Sequence, residues 1–260
     1  YGITFAVLAL AGASYSMLQS TVTPALPVIQ DELGASASAT AWIFTGYLLS
    51  ASVLTPIVGR LGDMFGKART LVIVLAVLCF GVLLAALADS IEMLIAARVI
   101  QGSAGALFPL AYGIIRDEFP AHRAASGIAM ISAILGIGGG LGIVLAGPII
   151  ETLDYHWLFW IPLISTAAAA LLTWKLVPES PVRVPGRVNW LAAALMTVGL
   201  SALLLAVSKT TAWGWGGTGT LLLAAFGIAE AAAKPRVASI NLCADQLVLL
   251  LADPTLIATL

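Results

Sequence analysis

The stretch Gly59-Arg60-Leu61-Gly62-Asp63-Met64-Phe65-Gly66-Lys67-Ala68-Arg69 has the form G-x-L-x-D-x-x-G-K-x-R and sits between two long apolar runs. A charged, glycine-rich turn has little reason to stand there unless two helices meet on a tight polar hinge. On this reading Gly59, Asp63, Gly66, Lys67 and Arg69 are its working residues. Asp63 is suited to accept hydrogen bonds from a neighbouring helix N-terminus, where exposed amides and the dipole favour an anion. Lys67 and Arg69 are placed to pair with Asp117 or Glu118 as exposed pairs, each contributing about 0 to 1 kcal/mol. Such pairs bias a balanced equilibrium without driving it.

Outward from the hinge, the chain is apolar throughout. Of its 260 residues 60% are hydrophobic and 10% charged, with a mean hydropathy of +1.04. Soluble domains carry roughly 25% charged residues, so lipid must be the main solvent here. A helical span needs about 20 apolar residues, because a core about 30 Å thick is crossed at about 1.5 Å per residue. That filter predicts spans at 3–28, 39–58, 70–88, 91–114, 124–147, 157–177 and 189–208, with a weaker eighth run at 217–233. Turn and cap residues separate them, among them Ala88-Asp89-Ser90 and Pro178-Glu179-Ser180-Pro181.

Arg60, Lys67, Arg69, Arg116, Arg123, Lys175, Arg183 and Arg187 fall after even-numbered spans, and Lys209 alone lies at an opposite loop. Basic loops resist translocation, which makes that side cytoplasmic and puts the amino terminus inside. A short leader ahead of Tyr1 is expected. Trp42, Trp157, Trp160, Trp174, Trp190, Trp213 and Trp215 gather near span ends, as interfacial anchors do. The net charge of −1 says nothing about nucleic acid, but no basic run exists to follow a phosphate backbone, so no nucleic-acid partner is expected. Cys79 and Cys243 lie in different segments without metal-like spacing, so no metal or cofactor is expected. His122 and His156 fall on opposite sides and no nucleophile stands beside a base, so no enzyme chemistry is expected either.

Two features inside the spans carry the functional reading. Arg98 is the one basic residue well within a predicted span. A guanidinium at that depth costs about 2.5–3.5 kcal/mol on insertion scales, so it must face a water-filled cavity or a partner unless it snorkels outward. The fifth span is crowded with Gly127, Gly136, Gly138, Gly139, Gly140, Gly142 and Gly147, each costing roughly 1 kcal/mol of helix propensity in water. Close helix packing in lipid, static or sliding, offsets that cost, and Gly136, Gly140, Gly142 and Gly147 are the expected face. Gln19, Thr23, Tyr47, Arg98, Gln101, Gly102 and Tyr112 are the expected lining of a cavity or coupling site.

The hinge resembles the loop between helices two and three of the major facilitator superfamily. Arg98-Val99-Ile100-Gln101-Gly102-Ser103-Ala104-Gly105 resembles the fourth-helix R-x-x-Q-G element, whose arginine is associated with proton coupling. Phe119-Pro120 with Arg123 resembles the following cytoplasmic loop. Leu18-Gln19-Ser20-Thr21-Val22-Thr23-Pro24-Ala25-Leu26-Pro27, Trp157-Leu158-Phe159-Trp160-Ile161-Pro162 and Trp213-Gly214-Trp215-Gly216 are similar to elements of the drug:proton antiporter branch. The resemblance covers residues 1 to 225. It implies an all-α membrane protein in which inverted three-helix repeats rock around a central site, exporting drugs or small amphiphilic solutes by proton-coupled alternating access. Two positions depart from the branch. Gln19 stands where an acid is usual, and Gly142-Ile143-Val144-Leu145-Ala146-Gly147 lacks the proline and first paired glycine of the fifth-helix element. An amide does not titrate, so protonation would fall to Glu92 near the outer rim or to a carboxylate beyond this chain. Gln19 is left to hydrogen-bond substrate or Arg98.

The resemblance divides the chain into a six-helix bundle at 1–178, accessory spans at 179–233 and a short strand-helix tail at 234–260. A complete carrier of this class needs a second, carboxyl-terminal bundle, so this chain alone is expected not to transport. Composition changes after residue 220, where Thr220 to Ala233 reads as the apolar part of a signal peptide without a basic region. From Pro235 the tail resembles the mature start of periplasmic solute-binding proteins for cobalamin or ferric siderophores. A bacterial inner-membrane location follows from the resemblance. Two other readings stand beside the exporter: a membrane-anchored solute-binding protein, and a non-transporting fragment that associates through its glycine faces.

Overall fold

The computed structural model describes residues 1–180, Val182, scattered positions between 195 and 206, Gly214 and 217–232. The expected seventh span and the tail from 234 lie outside the residues described continuously. Helices α1 (Gly2–Glu32), α2 (Ala37–Phe65) and α3 (Lys67–Ala86) are followed by α4 (Ile91–Gln101), a 3-10 turn (Gly102–Ala106) and α5 (Leu107–Glu118), which together make one span. Then come α6 (Ala121–Thr152), α7 (Trp157–Leu176) and α8 (Thr218–Ala232). Among the described residues six helices are long and apolar enough to cross a membrane, and they match the first six expected spans.

Local chemistry sets the boundaries. Ser36 caps α2 by accepting from the Ala39 amide at 3.2 Å, and Ser90 caps α4 by accepting from the Met93 amide at 3.3 Å. Between α2 and α3 the chain reverses at Gly66, whose φ of 118° is a conformation that side chains rarely adopt. The fourth span breaks into 3-10 geometry for a reason visible in its residues. Pro109 has no amide hydrogen to offer the carbonyl four residues back, and Gly102 and Gly105 lower the helix propensity of the same turn.

The spans pack as a closed set. Span one (α1) lies against spans five (α6) and six (α7), span three (α3) against six and four, and span two (α2) against span four. Exchanging spans one, two and three with four, five and six maps those contacts onto themselves. Three crossings also return the chain to the opposite side, so the second triplet starts inverted relative to the first. Both outer pairings use the same device. Ser50 Oγ of span two donates to the Val99 carbonyl of span four at 2.6 Å, and Ser16 Oγ of span one donates to the Leu135 carbonyl of span five at 2.5 Å. Glycine makes the approach possible in each. A Cβ on Gly102 would meet Ser50 Cβ at 2.6 Å and the Tyr47 carbonyl at 2.8 Å, and one on Gly142 would meet the Met17 carbonyl at 2.6 Å.

The glycine face of the fifth span differs from expectation. Gly138 and Gly142 pack on α1, with Ala146 and Ile149 continuing the buried stripe. Gly136, Gly140 and Gly147 have nothing within 4 Å of a Cβ position and are exposed. The contact follows the helical period from 138 to 142 to 146, and the other glycines fall off it. At the end away from the Gly66 turn Tyr155, in the connection before α7, donates from its hydroxyl to the Ala88 carbonyl at 2.7 Å. Burial, with the carboxylates of Glu32 and Asp89, pushes this phenol up to about 12, so it remains a donor at neutral pH.

Candidate functional site

Within the bundle, Arg98 on α4 is fully buried. Its Nη1 donates to Gln101 Oε1 at 2.7 Å and its Nη2 to Gln19 Oε1 of α1 at 2.7 Å. Gln101, also fully buried, passes its own Nε2 to the Gly81 carbonyl of α3 at 3.0 Å. Gly81 carries no side chain to interfere, since a Cβ there would meet Gln101 Cγ at 2.9 Å. The Tyr47 ring of α2 covers the guanidinium, with Cζ 4.8 Å from the ring centroid. The Tyr47 hydroxyl is hydrogen-bonded to that of Tyr15, whose ring meets Phe108 edge-on at 5.5 Å between centroids.

Four of the expected cavity residues are therefore in one cluster: Gln19, Tyr47, Arg98 and Gln101. Gly102 adjoins it as the glycine that seats Ser50 and the Tyr47 backbone. Thr23, one turn beyond Gln19, is exposed and takes no part in these hydrogen bonds among the described residues. Tyr112 joins only at the edge, its ring centroid 6.1 Å from that of Phe108 and its hydroxyl 3.0 Å from Ser132 Oγ on α6. Tyr15, Phe108 and the Gly81 carbonyl were not expected. Tyr15 lies four residues before Gln19, a helical neighbour on the same face, and that spacing is the signal in the sequence that locates it.

Every Asp and Glu within residues 1–180 sits in a terminal helical turn or a connection. Arg98 has no carboxylate partner among the described residues, and its Nε and Gln19 Nε2 are buried without any hydrogen-bond partner.

The second region is the hinge. Lys67 Nζ lies 2.6 Å from Asp117 Oδ2 and 3.5 Å from Asp63 Oδ1. Exposed pairing was expected, yet the Lys67 and Asp117 side chains are only 5% and 6% exposed. The Lys67 stem fits because Gly113 faces it: a Cβ there would stand 2.7 Å from Lys67 Cδ. Asp117 also accepts from Ser180 Oγ at 2.7 Å.

Arg69 turns instead to Glu179, at 3.8 Å. The same carboxylate accepts from the Ala68 and Arg69 amides at 3.1 and 3.0 Å, so the anion capping the α3 N-terminus is Glu179 and not Asp63. Asp63 sits in the last turn of α2 and turns to Lys67 because its own helix supplies no free amide there. Gly66 leaves room for the cap, since a Cβ would meet Glu179 Oε1 at 2.5 Å. Gly59 is buried in α2 one turn before this hinge.

Comparison with known proteins agrees with this geometry. A family model described as Major Facilitator Superfamily matches residues 8–189. The chain is 32% identical over 205 residues to a probable actinorhodin transporter of Streptomyces coelicolor, covering 76% of this chain and 36% of that one. It is 30% identical over 188 residues to the lincomycin resistance protein LmrB of Listeria monocytogenes, covering 72% and 40%. The chain thus spans less than half the length of these relatives. The human organic anion transporter MFSD10 has a similar fold, with a TM-score of 0.60 at 18% identity, over 84% of this chain and 56% of that structure.

Proposed function

Because the chain belongs to the Major Facilitator Superfamily, we propose that residues 1–178 are the amino-terminal bundle of a secondary active transporter exporting drugs or small amphiphilic solutes by alternating access. The carrying observation is the fully buried Arg98 at the centre of a network that reaches span one directly, through Gln19, and span three through Gln101 and the Gly81 carbonyl. A buried charge is expensive in a bilayer, and a site where spans one, three and four share its hydrogen bonds is where their relative movement is sensed. The names of the relatives, an actinorhodin transporter and a lincomycin resistance protein, support small organic compounds as cargo.

On this reading Gln19, Thr23, Tyr47, Gln101 and Gly102 line the same cavity as Arg98. Gly59, Asp63, Gly66, Lys67 and Arg69 form the cytoplasmic gate. Opening that side separates Lys67 from Asp117 and Glu179 from the α3 amides. Gly142 and Gly138 are the surface on which span five shifts against span one, while Gly136, Gly140 and Gly147 face outward for a carboxyl-terminal bundle or lipid. Residues 179–233 supply accessory spans, and 234–260 is a separate tail. The amino terminus is cytoplasmic, the membrane is a bacterial inner membrane, and no enzymatic step is involved. Gln19 carries no proton, so a coupled proton is held by Glu92 or by the other bundle.

The test is dye efflux from inverted vesicles containing the full-length protein, energised by a proton gradient. Ethidium should be concentrated inside, and Asp63→Asn should lower the rate more than it lowers dye affinity. Equal loss of rate and affinity would remove the gate assignment, and absence of gradient-dependent uptake across a panel of dyes would remove the exporter reading.

A further inference from the structure

We propose that Arg98 and Gln19 form a receptor for the carboxylate of an amphiphilic organic anion carried as cargo. The inference rests on the reading above in one respect, that this cluster faces the transport path. The chemistry itself comes from the accounting of charge and donors. A guanidinium holds one full positive charge, and around Arg98 that charge meets only neutral groups: two amide oxygens and an aromatic face. No carboxylate among the described residues pairs with it.

Two donors at the same spot are also vacant. Arg98 Nε is buried with no acceptor, as is Gln19 Nε2. The amide orientation is forced, because Gln19 must turn its oxygen to Arg98 Nη2, and that leaves its NH2 group on the Tyr15 side without a partner in hydrogen-bonding geometry. Buried polar groups are almost always paired, so two unpaired donors favour binding of an acceptor there, and the uncompensated cation favours an anionic one. A carboxylate answers both needs. Its single charge equals that of the guanidinium, and its two oxygens give one acceptor each for Arg98 Nε and Gln19 Nε2. Sulfate would bring twice the charge that the site compensates.

The walls describe the rest of the ligand. Tyr47 lies over the guanidinium, Tyr15 is joined to it through the hydroxyls, and Phe108 backs Tyr15. Aromatic faces of this kind accept an apolar or aromatic body next to the charged head. Arg98 is fully enclosed in this state, so entry requires the Tyr47 ring to leave the guanidinium.

Benzoate is the simplest probe. Binding of radiolabelled benzoate to the full-length protein in nanodiscs is measured against benzamide and benzylamine as competitors. The expected result is saturable binding that benzamide and benzylamine displace at least tenfold less well than unlabelled benzoate. Arg98→Gln should abolish it, and because that variant could fail to fold, Gln19→Glu is the second arm. Gln19→Glu sets a carboxylate of the protein beside Nη2, so it should weaken benzoate at least tenfold without lowering the melting temperature. Undiminished binding by a folded Gln19→Glu protein, or equal competition by benzamide, overturns the proposal. So does absence of benzoate binding in the unaltered protein, which would mean that a carboxylate elsewhere in the polypeptide satisfies Arg98. Ethidium efflux without benzoate binding would leave the exporter standing and remove the anion receptor, and the reverse pattern would do the opposite.

Discussion

At the scale of single residues, the hinge depends on burial more than on the number of its charges. Lys67 is nearly sealed from solvent, so its partner matters in a way that a surface ion pair does not. Removing one member of a buried pair costs about 3–5 kcal/mol, because the remaining charge is stranded. Asp117→Asn should fall somewhat below that range, since Asp63 remains 3.5 Å from the ammonium. Asp63→Asn should cost about 0–1 kcal/mol, as its carboxylate is more exposed and Asp117 keeps the close contact. Chemical unfolding of both variants in detergent checks the order, and equal losses would contradict it. The charged members of this network were legible in the sequence, but the capping partner was not. A helix that opens on Lys67-Ala68-Arg69 has no acid in its first turn, against the sense of its dipole, and so asks for an anion from elsewhere. Glu179, more than a hundred positions away, supplies it, and only the folded chain brings the two together.

At the scale of elements, six spans were readable from the length of apolar runs, because a bilayer fixes that length before any packing is known. The phase of each helix was not readable in the same way. Span five offers glycines around much of its circumference, and composition does not say which of them meet a neighbour. The stripe Gly138, Gly142, Ala146 is chosen by α1, whose Ala13 and Met17 carbonyls approach too closely for a larger residue. Gly142→Ala should therefore destabilise the bundle, while Gly140→Ala should leave its melting temperature unchanged or raise it, since added helix propensity is worth up to about 1 kcal/mol. Thermal unfolding monitored by size exclusion separates the two. A loss at Gly140 equal to that at Gly142 would mean that the exposed glycines also pack. The break in span four was equally hidden. Gly102 reads in the sequence as a cavity residue, and the missing amide of Pro109 turns the same stretch into 3-10 geometry.

At the scale of the whole molecule, the six spans form two exchangeable triplets, and the basic connections fall at one end of them. Orientation is open to direct measurement. With Cys79 and Cys243 replaced by serine, a cysteine at Arg123 should resist an impermeant maleimide added to intact cells, and one at Asp89 should react. The opposite pattern would reverse the topology while leaving the packing intact. The two triplets also give the turn at Gly102–Ala106 a mechanical meaning. Five residues in 3-10 form rise about 2.0 Å each at three per turn, against about 1.5 Å at 3.6 per turn in an α-helix. Recoiling them would draw the two halves of that rod together by about 2.5 Å and twist one against the other by about 100°. Arg98 rides above this coupling and Asp117 below it, so the rod is cut with two thread pitches, and what tightens at one end must screw the other.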